Sequence, residues 1–387
     1  MPGFEVIGEE EQAQINDIFQ NGGGILFRHS FDQLRNNSYK VAEFENRFAK
    51  RMGSQYALAV TSGTAALRVA MAALGVGPGD EVITQSFTFV ATVEAIVESG
   101  ATPVCTEVDA TLNMDPEDLE RKITARTKAV IAVHMLGTPA QLRDIRRVCD
   151  RHGLILIEDA AWGAGGSLDG HALGTWGEVG TFSFDFAKTM TTGEGGMILF
   201  KDYACYQRAA AWHDHGHENN PAVPRWEDTR SSSGFNFRMN ELQGAVGLAQ
   251  LRKLDNVVAK QRANRESIWQ AIRSIPGIMP RLVPAGAQET ADALVFFVSD
   301  AGQALACREA LVARGLGTKI LPEAITWHFA GTWHHIPQLA AAHGGRLADA
   351  FPVSLDLLRR SVALPITVRM DAELPGRIAD ALRSVLE

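Results

Sequence analysis

Between residues 56 and 200 the chain alternates short apolar runs with turns and amphipathic stretches. Residues 56–60 read as a strand, followed by Thr61-Ser-Gly-Thr64 and a helix through Leu74. Glu81-Val-Ile83 precedes a helix through Val97, and residues 102–105, 129–133 and 154–157 read as further buried strands. Helical stretches near 116–123 and 141–152 lie between them. Strands that alternate with helices imply βαβ crossovers, and therefore a largely parallel sheet covered on both faces. In such sheets ligands collect beyond the carboxyl ends of the strands.

After Met197-Ile-Leu-Phe200 the rhythm changes. Residues 202–212 look helical, 218–233 form a polar loop, and a long helix is predicted from about 239 to 268, with Leu248, Leu251 and Leu254 at helical spacing. Beyond Ile275-Pro-Gly277 a second α/β pattern begins, with a strand at 293–298 and a helix at 304–314. The expected architecture is α/β: a large domain, residues 1–255, built on a mostly parallel sheet between helices, and a smaller C-terminal α/β domain, residues 256–387.

Composition narrows the class. A chain of 387 residues, 46% hydrophobic and 21% charged, suits two soluble domains rather than a disordered protein. Its net charge of −8, with no basic block, matches phosphate backbones and anionic membranes poorly, so neither is an expected partner. No apolar run approaches the roughly 18 residues that suggest a spanning helix. The first residues lack the basic-then-apolar order of a signal peptide. Four cysteines without C-x-x-C spacing suggest free thiols in a reducing compartment, so a cytoplasmic enzyme is the expectation.

Three segments could carry chemistry. In Thr61-Ser-Gly-Thr64, unpaired N–H groups at a helix start and two hydroxyls make an anion cradle, although a Ser/Thr cap with a turn glycine gives the same pattern. At the end of Leu154-Ile-Leu-Ile-Glu-Asp159 a carboxylate opens onto the cleft, suited either to a protonated ring nitrogen or to capping the loop Gly163-Ala-Gly-Gly166. The third is Thr181-Phe-Ser-Phe-Asp-Phe-Ala-Lys-Thr-Met-Thr-Thr-Gly-Glu-Gly-Gly196. Among nine lysines, Lys188 follows an apolar strand and precedes a Gly-rich turn, a setting that desolvates an amine and lowers its pKa. A surface lysine in a hairpin turn is the competing reading, and Lys319, in Gly317-Thr-Lys-Ile320, is the lysine with a comparable flank.

Nucleotide-binding fingerprints fail on context: Gly193-Glu-Gly195 leads into a strand, and no G-x-x-x-x-G-K-[ST] occurs. His213, His215 and His217, and later His328, His334 and His335, lack thiolates or H-E-x-x-H spacing, so no metal is expected. A phosphate cradle, an aromatic near it (Phe87 or Phe89), a strand-end Asp and a lysine twenty-nine residues later match the needs of pyridoxal phosphate: donors for the phosphate, a face for the ring, an acid for its nitrogen and an amine for its aldehyde.

At this point the sequence resembles the DegT/StrS-type sugar aminotransferases, fold-type-I pyridoxal phosphate enzymes, over nearly its whole length. The resemblance rests on Ser62-Gly-Thr-Ala-Ala-Leu67, Gly77-Pro-Gly-Asp-Glu-Val-Ile83, Phe87-Thr-Phe-Val-Ala-Thr92, Glu158-Asp-Ala-Ala161, Phe182-Ser-Phe184 with Lys188, Gly193-Glu-Gly-Gly196 and Gly234-Phe-Asn-Phe-Arg-Met-Asn-Glu-Leu242. It implies that Lys188 forms the Schiff base with pyridoxal 5'-phosphate and that Asp159 pairs with the ring nitrogen. Ser62, Gly63, Thr64 and Ser183 would bind phosphate, with Phe89 on the ring. Trp162 falls where relatives often carry Gln or His, and an indole can only donate. Asn236 would reach the phosphate of a neighbouring subunit, which implies a homodimer with shared sites. Some relatives carry His in place of the lysine and act as dehydratases, so Lys188 favours amino transfer.

Within the family, Pro2-Gly-Phe-Glu5, Asp214-His-Gly-His-Glu218, Gly247-Leu-Ala-Gln-Leu-Arg-Lys-Leu-Asp255 and the segment from Trp327-His328 to Trp333 look most like 8-amino-3,8-dideoxy-octulosonate transaminases. That likeness implies glutamate or glutamine as donor and a sugar-acid aldehyde as acceptor, with Arg28, His29 and His328 as acceptor contacts. Nucleotide-linked keto-sugars and cyclitol ketones are alternative acceptors. A cofactor-binding regulator without turnover is the non-enzyme alternative, and a histidine-based metal hydrolase is a third reading.

Overall fold

The computed structural model describes residues 2–220 and 222–387; Met1 and Pro221, the latter inside the predicted polar loop, lie outside the described residues. The first nine strands are β1 Tyr56–Val60, β2 Glu81–Gln85, β3 Thr102–Thr106, β4 Thr127–Val133, β5 Ile155–Asp159, β6 Ser167–Leu168, β7 His171–Ala172, β8 Val179–Ser183 and β9 Gly196–Phe200. Seven of them form one sheet in the order β1-β9-β8-β5-β4-β2-β3. Neighbours from β8 through β3 run parallel, and β9 alone is antiparallel to its partners β8 and β1. The predicted parallel sheet is therefore present, with one reversed strand.

Side chains alternate across this sheet with the two-residue period of a strand. In β4, Ala129, Ile131 and Val133 enter one core, and Val130 and Ala132 enter the other. The second core is rich in aromatics: the rings of Phe44 and Phe184 lie 5.3 Å apart, and those of Phe48 and Phe182 5.0 Å apart. Two of these rings come from the helix Lys40–Met52, which together with Pro2–Glu5 and Glu9–Gln20 precedes the first predicted element. The predicted long helix spans Glu241–Ile272, about 48 Å at 1.5 Å per residue. Asn240 and Gln243 open it with a reciprocal capping box. Its Glu241 carboxylate accepts from the Lys40 N–H at 2.6 Å and pairs with Arg35 at 3.3 Å, fastening the N-terminal helices to it.

In the C-terminal part, β10 Met279–Pro280, β12 Ala293–Phe297 and β13 Ser361–Pro365 make a small antiparallel sheet, while β11 Ala287–Gln288 joins β6 and β7. The predicted helix at 304–314 is Ala301–Val312; it starts earlier because Asp300 accepts from the Gln303 N–H at 3.0 Å and caps it. Leu294 and Phe296 pack with Ile268 and Ile272 of the long helix, whereas Val295 and Phe297 face the core beneath the large sheet. That shared core seats residues 316–333 over the carboxyl ends of the strands. There the Thr88 N–H donates to the His328 carbonyl at 2.9 Å, and the Ala330 N–H donates to the Ser86 carbonyl at 2.8 Å. Among the described residues no helix is long and apolar enough to cross a membrane.

Candidate active site

The carboxyl ends of β4, β5 and β8 open into a cleft of about 510 Å³. One wall is the start of the helix Gly63–Ala73. Ser62 is extended (φ −163) and its Oγ accepts from the Ala65 N–H at 3.1 Å, which makes it the N-cap. The amides of Gly63 and Thr64, in the first turn, have no intrahelical acceptor. A Cβ on Gly63 would stand 2.8 Å from the Ser183 Cβ, and one on Gly196 2.3 Å from the Ser62 carbonyl oxygen. The two glycines thus allow the helix start to press against β8 and β9, bringing Ser62, Gly63, Thr64 and Ser183 to one corner. The cap reading and the anion-cradle reading describe the same geometry.

Asp159 ends β5 and is buried. Its Oδ2 accepts from Thr92 Oγ1 at 2.8 Å and its Oδ1 from the Ala161 N–H at 3.2 Å. Burial pushes its carboxyl pKa up, opposed by those hydrogen bonds and by the charge of Lys188. The neighbouring Glu158 points to the other face, where the amides of Gly174, Trp176 and Gly177 and the His134 ring satisfy it.

Lys188 lies in the connection between β8 and β9, and burial lowers its ammonium pKa from 10.5 to about 8. Its Nζ sits 3.6 Å from the centroid of the Trp162 ring. The connection is held from outside: the Gly3 N–H donates to the Lys188 carbonyl at 3.1 Å, Phe4 packs on Phe186 with centroids 4.7 Å apart, and Glu5 accepts from the amides of Val368 and Arg369. Phe89, 45% exposed, overhangs the cleft with its ring 5.6 Å from that of His328, whereas Phe87 is fully buried behind it. Burial pushes the His328 pKa down to about 4, so the ring is neutral near pH 7.

Of the residues singled out in the sequence, Ser62, Gly63, Thr64, Phe89, Asp159, Trp162, Ser183, Lys188 and His328 line this one cleft. Arg28 and His29 do not; they line a separate polar cavity with Arg208 and His213, Arg28 bonded to Glu45 and the Ala59 carbonyl and His29 to Asp214. Asn236 lies beside Asp214 in an isolated β-bridge, outside the cleft of its own chain. Sequence reasoning did not place Lys319, Trp327 or Thr92 there, yet all three line it. The apolar flank of Lys319 was the visible signal. Among the described residues no group of three or more His, Cys, Asp or Glu side chains could hold a metal ion.

The cleft suits pyridoxal phosphate on its own features: free helix-start amides and hydroxyls for the phosphate, an exposed ring at Phe89, a buried carboxylate hydrogen-bonded to no cationic side chain, and a desolvated amine. The fold and site therefore define a fold-type-I, pyridoxal phosphate-dependent aminotransferase. Residues 24–383 match the model of the DegT/DnrJ/EryC1/StrS aminotransferase family, and the chain belongs to that family. It is 31% identical to the spore coat polysaccharide biosynthesis protein SpsC of Bacillus subtilis, across 99% of this chain and 96% of that one. It is 38% identical to a GDP-perosamine synthase of Vibrio cholerae, in an alignment that spans 61% of this chain and only 63% of that protein. Among solved structures it superposes on 3-amino-5-hydroxybenzoic acid synthase with a TM-score of 0.84 and 28% identity, covering 99% and 98% of the two chains. The aminotransferase TlmJ of Streptoalloteichus hindustanus gives the same score at 29% identity, covering 98% and 97%.

Proposed function

We propose that this enzyme moves the amino group of glutamate or glutamine onto a carbonyl of a sugar or sugar-like acceptor, with the C8 aldehyde of a 3-deoxy-octulosonate as the first candidate. The burial of Lys188 Nζ against Trp162, in the cleft that also holds Asp159, is the observation that carries the reading. The octulosonate rests on likeness at Asp214-His-Gly-His-Glu218 and from Trp327 to Trp333. Nucleotide-linked keto-sugars and cyclitol ketones form a second reading, favoured by relatives named GDP-perosamine synthase and, at 34% identity over 71% of this chain, a putative L-glutamine:3-amino-2,3-dideoxy-scyllo-inosose aminotransferase of Streptomyces kanamyceticus.

When bound, pyridoxal phosphate supplies an aldehyde that condenses with amines and a ring that withdraws electrons from the substrate carbon. In this assignment Ser62, Gly63, Thr64 and Ser183 hold its phosphate, and Phe89 covers one face of its ring. Ionised Asp159 keeps a proton on the ring nitrogen; Thr92 and the Ala161 amide orient the carboxylate. Lys188 Nζ is the attachment point and, once free and uncharged, takes the donor's α-proton and returns it one carbon away. Trp162 packs on that amine and keeps water from it. His328, neutral and with its ring beside Phe89, orients an acceptor hydroxyl. Arg28, His29 and Asn236, outside their own cleft, serve the partner's site in a homodimer. The division between large and small domains falls near residue 255 within the long helix.

Borohydride reduction of the holoenzyme and peptide mapping test the assignment. The label is expected on Lys188; a label elsewhere, or none, refutes it. A screen of sugar-acid aldehydes against nucleotide-linked keto-sugars and cyclitol ketones separates the two acceptor readings.

A further inference from the structure

The cleft contains a second amine, which the roles above leave unused. The Leu321 N–H donates back to the Lys319 carbonyl at 2.8 Å around Ile320, whose φ is 70. A γ-turn with a positive central φ is the rarer and more strained form, and a branched side chain makes it less favourable still. The Lys319 N–H, donating to the Ala363 carbonyl of β13 at 2.8 Å, pins the reversal to the small sheet. From there Lys319 Nζ reaches 4.7 Å from the centroid of Trp162, the ring that Lys188 approaches at 3.6 Å, so the two amines are no further apart than those distances together. The counter-ion of Lys319 is Asp292, wholly buried; its Oδ2 takes the ammonium and its Oδ1 has no partner. Asp292 also follows a strained position, Ala291 at φ 61. Strain on both sides of one ion pair beside a reactive lysine points to function more than to stability.

We infer that Lys319, without leaving Asp292, binds the carboxylate adjacent to the reacting amine of the amino-acid donor, and is paired with Asp292 alone when the acceptor takes the donor's place. The inference rests on the reading of this chain as an aminotransferase with an amino-acid donor. One cleft must then hold a carboxylate next to the reacting carbon in the first half-reaction and hydroxyl-bearing carbon in the second. A rigidly placed cation would be left desolvated and unpaired in the second half, which is costly. A lysine beside a buried aspartate avoids that cost, because its three protons can serve both carboxylates at once in the first half and Asp292 alone in the second. Lys188 and Lys319 are the two ammonium-bearing side chains among the described residues that line the cleft, and Lys188 is committed to the reacting atoms.

The test compares wild-type holoenzyme with Lys319→Met/Asp292→Asn, which leaves no charge buried alone, and with Lys319→Arg; Lys319→Gln/Asp292→Asn takes the place of the first double variant if it fails to fold. The absorbance change of the bound cofactor with L-glutamate reports the donor half-reaction, and calorimetry with 2-oxoglutarate on the borohydride-reduced holoenzyme reports binding without turnover. The double variant should raise the half-saturating glutamate concentration by about 10- to 100-fold, the loss of one charge-assisted hydrogen bond, with a smaller change in limiting rate. Its 2-oxoglutarate affinity should fall by a similar factor, Lys319→Arg should recover most of both, and propylamine, which has no carboxylate, should react alike with all three. Unchanged glutamate saturation and 2-oxoglutarate affinity overturn the inference, as does a defect confined to the acceptor half-reaction, which would assign Lys319 to an acceptor carboxylate. A wild-type enzyme that gives no absorbance change with glutamate or glutamine removes the reading of either amino acid as donor, and with it the ground of the inference.

Discussion

Replacing Lys188 by methionine should change the pH dependence of stability in the cofactor-free protein. Burial lowers the Lys188 pKa from 10.5 to about 8 in the folded chain. Between those values the unfolded chain holds more protons than the folded one, so this group's contribution to folding stability rises with pH across that window. Below about 8 both states are protonated and the full cost of burying the ammonium is present, about 3 kcal/mol from the linkage relation. Above 10.5 it is gone. Methionine has a similar length and no titration, so the variant supplies the baseline. From about pH 7 to about pH 9.5 the wild type should gain about 2 kcal/mol relative to Lys188→Met. Urea unfolding of both proteins at steps of pH, stripped of cofactor, measures this. Parallel stability profiles would show that Lys188 titrates as an exposed lysine does, and the argument from its desolvation would fail.

Three further outcomes follow from the same geometry. Capture of pyridoxal phosphate by the cofactor-free enzyme needs the free amine, so its rate should climb tenfold per pH unit up to about 8 and then level; stopped-flow absorbance follows it, and a climb that continues toward 10.5 contradicts the lowered pKa. Asp159→Asn should slow single-turnover transamination by about 100-fold or more while cofactor retention falls far less, since the neutral amide no longer stabilises a protonated ring; an unchanged rate counts against the pairing. Gly63→Ala forces its Cβ to 2.8 Å from Ser183 and should reduce stability by about 1–3 kcal/mol and weaken cofactor binding; equilibrium dialysis and thermal melts report the two effects, and wild-type values in both exclude the close approach.

The sheet was legible because strands buried on both faces are written as continuous apolar runs, as in Ala129-Val-Ile-Ala-Val133. The site's main residues were legible because they sit at the ends of those runs. The helix Glu9–Gln20 was not: only Glu11 and Ile18 are buried in it, so it carries no apolar stripe. Beyond the local cap, in which the Gly8 amide donates to Glu11 at 2.8 Å, what holds it is tertiary: the Glu11 carboxylate accepts from Lys253 at 2.8 Å and Gln250 at 3.0 Å. Lys319 lies 131 positions beyond Lys188, and only the packing of β13 against β12 carries it to Trp162. Arg28 and His29 show the converse: local resemblance marked them, but their place in the fold is a different cavity of the chain.

The contacts made by Gly3, Phe4 and Glu5 have a consequence for biosynthesis. These residues are translated well before their partners Phe186, Lys188, Val368 and Arg369. Gly3 and Phe4 can be held once Phe186 and Lys188 have emerged, but Glu5 can meet Val368 and Arg369 only about 180 residues later. The latch on the loop that bears Lys188 is complete only when Val368 arrives, so a nascent chain cut before that point can have its large sheet in place with the latch half made.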